Sequence, residues 1–196
     1  MKTLSIGLTG GIGSSKTLIA EVFSQMGVPV FNADMEAKQL YNKPNIQKDM
    51  EAMFSEKLFN NNKLDKNKLS QIIFNNKEQL QKLNHYIHPL VEEEYKKFLY
   101  AHTIKHFPYV IMESAIIFES GWQKHFDKII CVNTPQELMI KRTMLRDKTD
   151  RESVLRKIAN QIPIKDKVNK SDYVINNDDL ALVLPQIIEI DEQIKK

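Results

Sequence analysis

Residues 4–17 read LSIGLTGGIGSSKT, and three of them stand at a spacing that does chemistry. Gly10, Lys16 and Thr17 fit the phosphate-binding pattern G-x-x-x-x-G-K-[ST], which needs a strand before it and a helix after it. An apolar run precedes the glycines and a helical pattern opens at Lys16, so that context is met. The amides of Gly11, Ile12, Gly13, Ser14, Ser15, Lys16 and Thr17 can turn inward around phosphate oxygens, with the positive end of the helix dipole behind them. Lys16 would bridge the terminal phosphates, and the Thr17 hydroxyl would hold Mg²⁺. The one departure is Ser15, where the pattern has glycine. A Cβ there is tolerated only with a negative φ, so a negative φ is expected.

Two acids stand where strands end. Asp34, in FNAD, closes the second apolar run and is positioned either to accept a proton from an attacking hydroxyl or to cap a helix over 35–40. Glu113 ends the third run and suits the acidic position that orients Mg²⁺. Glu119, six residues later, reads equally as a structural partner. Of 28 lysine and arginine residues only four are arginine, and Arg142, Arg146, Arg151 and Arg156 all fall within one short stretch. A guanidinium grips phosphate bidentately and cannot lose its charge, so this clustering points to phosphate recognition. Arg142 and Arg146, four apart, share a helix face; the plainer alternative is a solvated helix with Asp147 and Glu152 as partners.

Other patterns carry less. His85 and His88 lack the further ligands a zinc site needs, and His88-Pro89 is expected to break two helices and to line an acceptor site. The strings Asn62–Asp65 and Asn169–Asp172 match N-K-x-D of guanine-specific GTPases. Neither follows a buried strand, and no D-x-x-G follows the third run. The lone Cys131 lies in an apolar strand and reads as packing, and no intrachain disulfide is possible. Trp122 has no stacking companions in a basic stripe, so a nucleic-acid surface is not indicated.

These residues need a frame. With 196 residues and a net charge of +3, the chain fits one core with an elaboration. No apolar stretch approaches the roughly 20 residues of a membrane span. The opening is strand and loop without a cleavable leader, and a cytoplasmic location is expected. Short Ile- and Val-rich runs at Thr3–Leu8, Pro29–Phe31, Tyr109–Glu113, Lys128–Val132 and Tyr173–Ile175 predict a parallel sheet covered on both faces by helices. A first helix runs from Lys16 to Met26 and stops at Gly27; another starts at Pro135 with Thr134 as its cap; Asp179 is a candidate cap for the last. The long connection between the second and third strands reads as an insertion over 42–106. It holds helices at Ile46–Phe54, Lys66–Phe74, Lys77–Tyr86 and Pro89–His106, with a solvated loop at 60–68.

Taken in order, the motifs resemble those of the dephospho-CoA kinase family. GLTGGIGSSKT is similar to that family's GLTGGIGSGKS, FNAD to its DAD, His88-Pro89 to its HP, and ESAIIFE at 113–119 to its DxPLLFE. Arg142, Arg146-Asp147, RKIANQ at 156–161 and SDYVINN at 171–177 follow the family's closing order. This chain departs from the family at Ser15, at Asn32, at Glu113 and at Ser114-Ala115. The resemblance implies an α/β P-loop kinase of three layers, with a five-stranded parallel sheet, a helical insertion and a lid. It divides the chain into a nucleotide-binding core over 1–41 and 107–196, an acceptor-binding insertion over 42–106 and a lid region over 142–156. It implies transfer of the ATP γ-phosphoryl group, with Mg²⁺, to the ribose 3′-hydroxyl of dephospho-CoA. Asp34 then matches the base, Arg142 and Arg146 the lid arginines, Asn176 a nucleotide contact, and Thr9, Asp34, His88 and Glu113 the acceptor side. A small-molecule acceptor, no nucleic-acid or membrane partner and a monomer or weak homo-oligomer go with this. Two alternatives stand beside it: another small-molecule or nucleotide kinase, and an ATP-binding regulator that has lost turnover through Ser15.

Overall fold

The computed structural model describes residues 2–74 and 76–196. In chain order the elements are β1 (Leu4–Gly10), α1 (Lys16–Gln25), β2 (Val30–Asn32), α2 (Ala33–Leu40), α3 (Pro44–Phe54), β3 (Phe59–Asn60) and β4 (Lys63–Leu64). Then come α4 (Lys66–Phe74), α5 (Lys77–Ile104), β5 (Tyr109–Glu113), a 3₁₀ turn at Trp122–His125 and β6 (Lys128–Asn133). The chain closes with α6 (Gln136–Asp147), α7 (Arg151–Ala159), α8 (Ile164–Asn169), β7 (Tyr173–Asn176) and α9 (Val183–Lys195). Two compact units result: one takes the chain up to Asn32 and from Phe98 to Lys196, the other Ala33–Lys97.

The first unit is an α/β sandwich around a parallel sheet in the order β2-β5-β1-β6-β7. All five predicted strands are present within a residue or two of their expected ends. Central β1 alternates across the sheet. Ile6 and Leu8 point to one face, where they are buried with Ile19, Ala20 and Phe23 of α1 and Ile187, Ile190 and Ile194 of α9. Each such side chain removed from water contributes roughly 1.5–3 kcal/mol, which fixes the register of the strand against sliding. On the other face Gly7 lies so close to Ile117 and Phe126 that a Cβ would collide with both. The register sets Leu8 beside Glu113, Asn32 beside Glu113, Gly10 beside Val132 and Asn133 beside Asn176. The carboxyl ends of the five strands therefore share one edge, the edge where open α/β sheets bind ligands.

Several boundaries differ from the sequence expectation, each for a local reason. The helix α6 begins at Gln136 with Pro135 in the capping position, and the Thr134 hydroxyl donates to the Ser14 carbonyl at 3.4 Å instead of capping. Asp179 caps nothing: α9 starts four residues later at Val183 with Pro185 in its first turn. Asp178 is the acid that accepts the Leu180 and Ala181 amides, at 3.0 and 2.9 Å.

The second unit is helical. The segment expected as a solvated loop over 60–68 contains the β3–β4 hairpin, and α4 already begins at Lys66. Asn61 and Asn62 turn it with φ of 48° and 61°, the left-handed pair that a two-residue hairpin asks for and asparagine tolerates. Glu51 on α3 accepts the Leu58 and Phe59 amides at 2.9 and 3.0 Å, and Gln47 donates to the carbonyls of Tyr41 and Asn62. The expected break at His88-Pro89 does not occur. Instead, α5 runs unbroken through Pro89. Proline removes one backbone hydrogen bond and costs about 3 kcal/mol. Leu83, Ile87, Val91 and Tyr95 are buried at four-residue steps on either side of it, and that continuous apolar face outweighs the cost. Among the described residues no helix is long and apolar enough to cross a membrane.

Candidate active site

The loop after β1 is held from several sides. Ser14 N–H donates to the Gly11 carbonyl at 3.2 Å, and Lys16 Nζ to the same carbonyl at 3.4 Å. The Ser14 carbonyl accepts from the Thr134 hydroxyl and, at 2.9 Å, from the side-chain amide of Asn177. Gly13 has a φ of +77° and presses against α6, where a Cβ would strike the Met139 carbonyl and the Thr143 hydroxyl. Only glycine fits there, both by conformation and by space. Lys16 is only 8 % exposed, so its ammonium is kept inside the loop rather than in bulk water.

Ser15 overturns the expectation of a negative φ. It sits at φ 67° and ψ 29°, in the left-handed region, as the N-terminal flanking residue of α1. The loop keeps the backbone path of a glycine while carrying a serine. Its side chain makes no capping bond to the helix; Oγ instead lies 3.5 Å from Arg142 Nη1.

Thr17, in the first turn of α1, donates from its hydroxyl to Glu113 Oε1 at 3.2 Å. Glu113 ends β5, is 3 % exposed, and accepts a second hydrogen bond from the Asn32 amide at the end of β2. A hydroxyl and a carboxylate side by side at the end of the loop are hard oxygen donors. They fit the coordination Mg²⁺ takes up together with substrate phosphates. Thr9, whose side chain lies on the face of β1 opposite Ile6 and Leu8, is fully buried, and its hydroxyl finds no partner among the described residues.

The two arginines expected to act together are placed differently. Arg142 is half-buried, reaches Ser15, donates to Asn177 Oδ1 at 3.4 Å and pairs with the Asp179 carboxylate. Arg146, one turn on, is 62 % exposed and pairs with Asp147 at 2.8 Å, which also holds Lys157 at 3.1 Å. Arg146, and after it burial opposing and Lys157 assisting, brings the Asp147 carboxyl down to about 2. Arg151 pairs with Glu137 and Arg156 with Glu152. So Arg142 is the one seen to reach the phosphate loop, through Ser15.

Asn176 accepts from the Asn133 side chain at 2.9 Å, while its neighbour Asn177 makes the loop contact. The sequence reading assigns no site role to Asn177 or Gln161 and takes Asp179 as a candidate helix cap, where it pairs with Arg142. Asn177 and Gln161 stand at the ends of the singled-out strings SDYVINN and RKIANQ, and that was the available signal. Glu119 takes the structural role, pairing with fully buried Lys167 at 2.7 Å. Cys131 is buried in β6, and burial pushes its thiol up to about 11, away from nucleophilic chemistry.

In the helical unit, Asp34 stands beyond the end of β2, in the exposed first turn of α2, neither ending the strand nor capping the helix. A carboxylate in that turn complements the helix dipole. Burial, and then the Asp34 charge, raise the Tyr41 phenol above its usual range. His88 is half-buried on α5, and burial followed by the nearby His85 lowers its pKa from the ordinary histidine value.

Comparison with known proteins shows the family and the fold. The family model for dephospho-CoA kinase matches residues 4–182. The dephospho-CoA kinase of Fusobacterium nucleatum is 36 % identical over 178 residues, covering 90 % of this chain and 91 % of that protein. Among solved structures, a Thermus thermophilus protein superimposes with a TM-score of 0.83 at 26 % identity, over 99 % of this chain and 97 % of that one. The dephospho-CoA kinase of Campylobacter jejuni does so with a TM-score of 0.70 at 25 % identity, over 97 % and 96 %. With its phosphate loop, its parallel sheet and a match running through nearly all of its length, the chain belongs to the dephospho-CoA kinase family, kinases of the P-loop fold.

Proposed function

We propose that this chain transfers the γ-phosphoryl group of ATP to the ribose 3′-hydroxyl of dephospho-CoA, giving coenzyme A and ADP. The observation that carries the reading is the loop Gly10–Thr17, with Lys16 drawn inside it and Thr17 against Glu113, in a chain of this family. The loop amides apart from that of Ile12, which donates to Gln161, bind and orient the phosphates with Lys16, and Arg142 lies beside the loop to meet charge on the transferring group. Thr17 and Glu113 would hold Mg²⁺, which when bound offsets negative charge on the phosphate oxygens. Asp34 receives the proton of the attacking hydroxyl, a role supported by the match of FNAD to the family's motif and by an exposed carboxylate just past β2. Asn176 serves the nucleotide, Thr9 and His88 the acceptor, and Arg146 closes over the site by leaving Asp147. The helical segment over 42–106 receives dephospho-CoA, and the segment over 142–156 acts as the lid that keeps water from the phosphoryl group. A cytoplasmic protein, monomeric or weakly self-associating, goes with this reading.

The test is ADP release from Mg·ATP with dephospho-CoA, AMP, shikimate or no acceptor. Release that depends on dephospho-CoA, with coenzyme A formed, is expected. Release with AMP or shikimate alone would point to a different small-molecule kinase. Measurable ATP binding with no release for any acceptor would favour a regulatory ATP-binding protein.

A further inference from the structure

The string RKIANQ ends at Gln161, whose role nothing above has assigned. Gln161 follows α7 by two residues, so it lies where the chain leaves the lid region. Its side-chain Oε1 accepts the backbone N–H of Ile12, at the tip of the phosphate loop, at 3.0 Å. The two residues are far apart in sequence, and this bond ties the segment just past α7 to that tip.

The backbone next to Gln161 is itself fixed. The Ile162 N–H donates to Glu119 Oε1 at 2.9 Å, and the same oxygen pairs with Lys167 Nζ at 2.7 Å. Lys167 has no exposed side-chain surface, and it also donates to the Ala115 carbonyl at 2.7 Å. Ala115 is two residues past Glu113. A buried ion pair of this kind recovers little or no net stability over apolar residues of the same volume. What it does here is geometric. It pins one short segment, 160–163, between the turn that follows Glu113 and the tip of the phosphate loop. The loop is also backed by α6 at Gly13. The tip is therefore held by Gln161, just past α7, while Gly13 beside it is backed by Met139 and Thr143 of α6.

We propose that Gln161 is a positioning residue for nucleotide binding: by accepting the Ile12 N–H it holds the phosphate loop in its binding shape, and the Glu119–Lys167 pair acts through it by fixing the backbone at Ile162. Gln161 touches no phosphate in this account. It sets in advance the geometry of the amides that do, so that ordering the loop is not charged to the binding step.

The experiment uses the whole chain and reads ADP affinity, which does not depend on phosphoryl transfer. It also reads hydrogen exchange at the Ile12 amide and the melting temperature without nucleotide. Gln161→Met keeps the volume and removes the acceptor. It is expected to weaken ADP binding about 3- to 10-fold, the range for one lost hydrogen bond. It should also speed exchange at Ile12 while moving the melting temperature by no more than about 2 °C. Gln161→Glu restores an acceptor oxygen and is expected to return Ile12 exchange to the parent rate, whatever its added charge does to ADP. Unchanged ADP affinity in Gln161→Met, or Ile12 exchange in Gln161→Glu as fast as in Gln161→Met, would overturn the proposal. So would a loss of affinity matched by a large fall in melting temperature, which marks a merely structural residue. The proposal rests on the nucleotide-binding part of the function proposed above, and the two fail differently. A parent protein that binds no ADP sinks both, whereas one that binds ADP and transfers nothing sinks only the kinase reading.

Discussion

Replacing Ser15 by glycine tests whether the phosphate loop is strained in this chain. A non-glycine residue in the left-handed helical region, where Ser15 lies at φ 67°, costs roughly 1–2 kcal/mol because its Cβ crowds the backbone. Glycine removes that cost but adds freedom to the unfolded chain, worth about 0.4–1 kcal/mol against folding. Among the described residues the side-chain bond that would be lost is the one to Arg142 at 3.5 Å, the outer limit of a hydrogen bond, and it contributes little. The difference leaves Ser15→Gly more stable by roughly 0.5–1 kcal/mol, or about 1–4 °C in melting temperature for a chain of this length. Urea denaturation without nucleotide should show a higher midpoint at an unchanged slope. Ser15→Ala keeps the Cβ and loses the hydroxyl, so it should match the parent or fall below it. Because the backbone already follows the glycine path, ADP affinity of Ser15→Gly should stay within about 3-fold of the parent, under 1 kcal/mol. A midpoint equal to or below the parent's would refute the strain argument. An ADP affinity more than tenfold tighter would show that the Cβ crowds the phosphates.

Three further perturbations follow from the same geometry. Asp34→Asn should cut turnover by about 10²–10⁴-fold with ADP affinity unchanged, as for a lost general base; turnover within a few-fold of the parent would leave Asp34 a helix-dipole partner only. Lys167→Met strands the Glu119 carboxylate and should cost about 3–5 kcal/mol, read in a thermal melt. Adding Glu119→Leu should recover much of it, and a single-variant loss under about 1 kcal/mol would contradict the buried-pair reading. Asp147 titrates at about 2 when folded against an ordinary value of 3.8, so the unfolded chain takes up protons first as pH falls. Its contribution to stability is complete above about pH 4 and is lost as pH drops through about 2. Carboxyl chemical shifts should place its midpoint there, and Arg146→Gln should move it upward; no movement would mean that Arg146 does not hold it.

What the sequence made legible was set by local physics. The strands of the sheet are buried on both faces, so they announce themselves as short Ile- and Val-rich runs, and Tyr109–Glu113 falls where it was expected to. The phosphate loop is equally plain, because glycine spacing and the Lys16-Thr17 pair encode a backbone shape directly. Pro89 was misleading for the opposite reason. Its local rule is real, yet burial along Leu83, Ile87, Val91 and Tyr95 outweighs it, and burial depends on what the rest of the fold puts against that face. Thr134 misled in the same way: as a capping residue it is suitable, but the Ser14 carbonyl, from a segment far away in sequence, takes its hydroxyl.

The hardest part to read was how the loop is held. Gln161, Asn177 and Arg142 each reach it from distant positions in the chain, and no periodicity or spacing rule connects them to Ile12, Ser14 and Ser15. Their types were nevertheless informative in hindsight. A glutamine closing RKIANQ and an asparagine closing SDYVINN are both side-chain amides, able to accept and to donate, placed where a segment ends. Amides that a glycine-rich loop offers to a ligand cannot also hold it, so its internal bond, Ser14 N–H to the Gly11 carbonyl, is supplemented from outside. Residues elsewhere must supply the complementary acceptor and donor, which here are the Gln161 carbonyl for Ile12 N–H and the Asn177 amide for the Ser14 carbonyl. By that reasoning, Asn177→Leu should loosen the loop as Gln161→Met does. Combining the two should weaken ADP binding by less than the product of their separate effects, since both act on one segment.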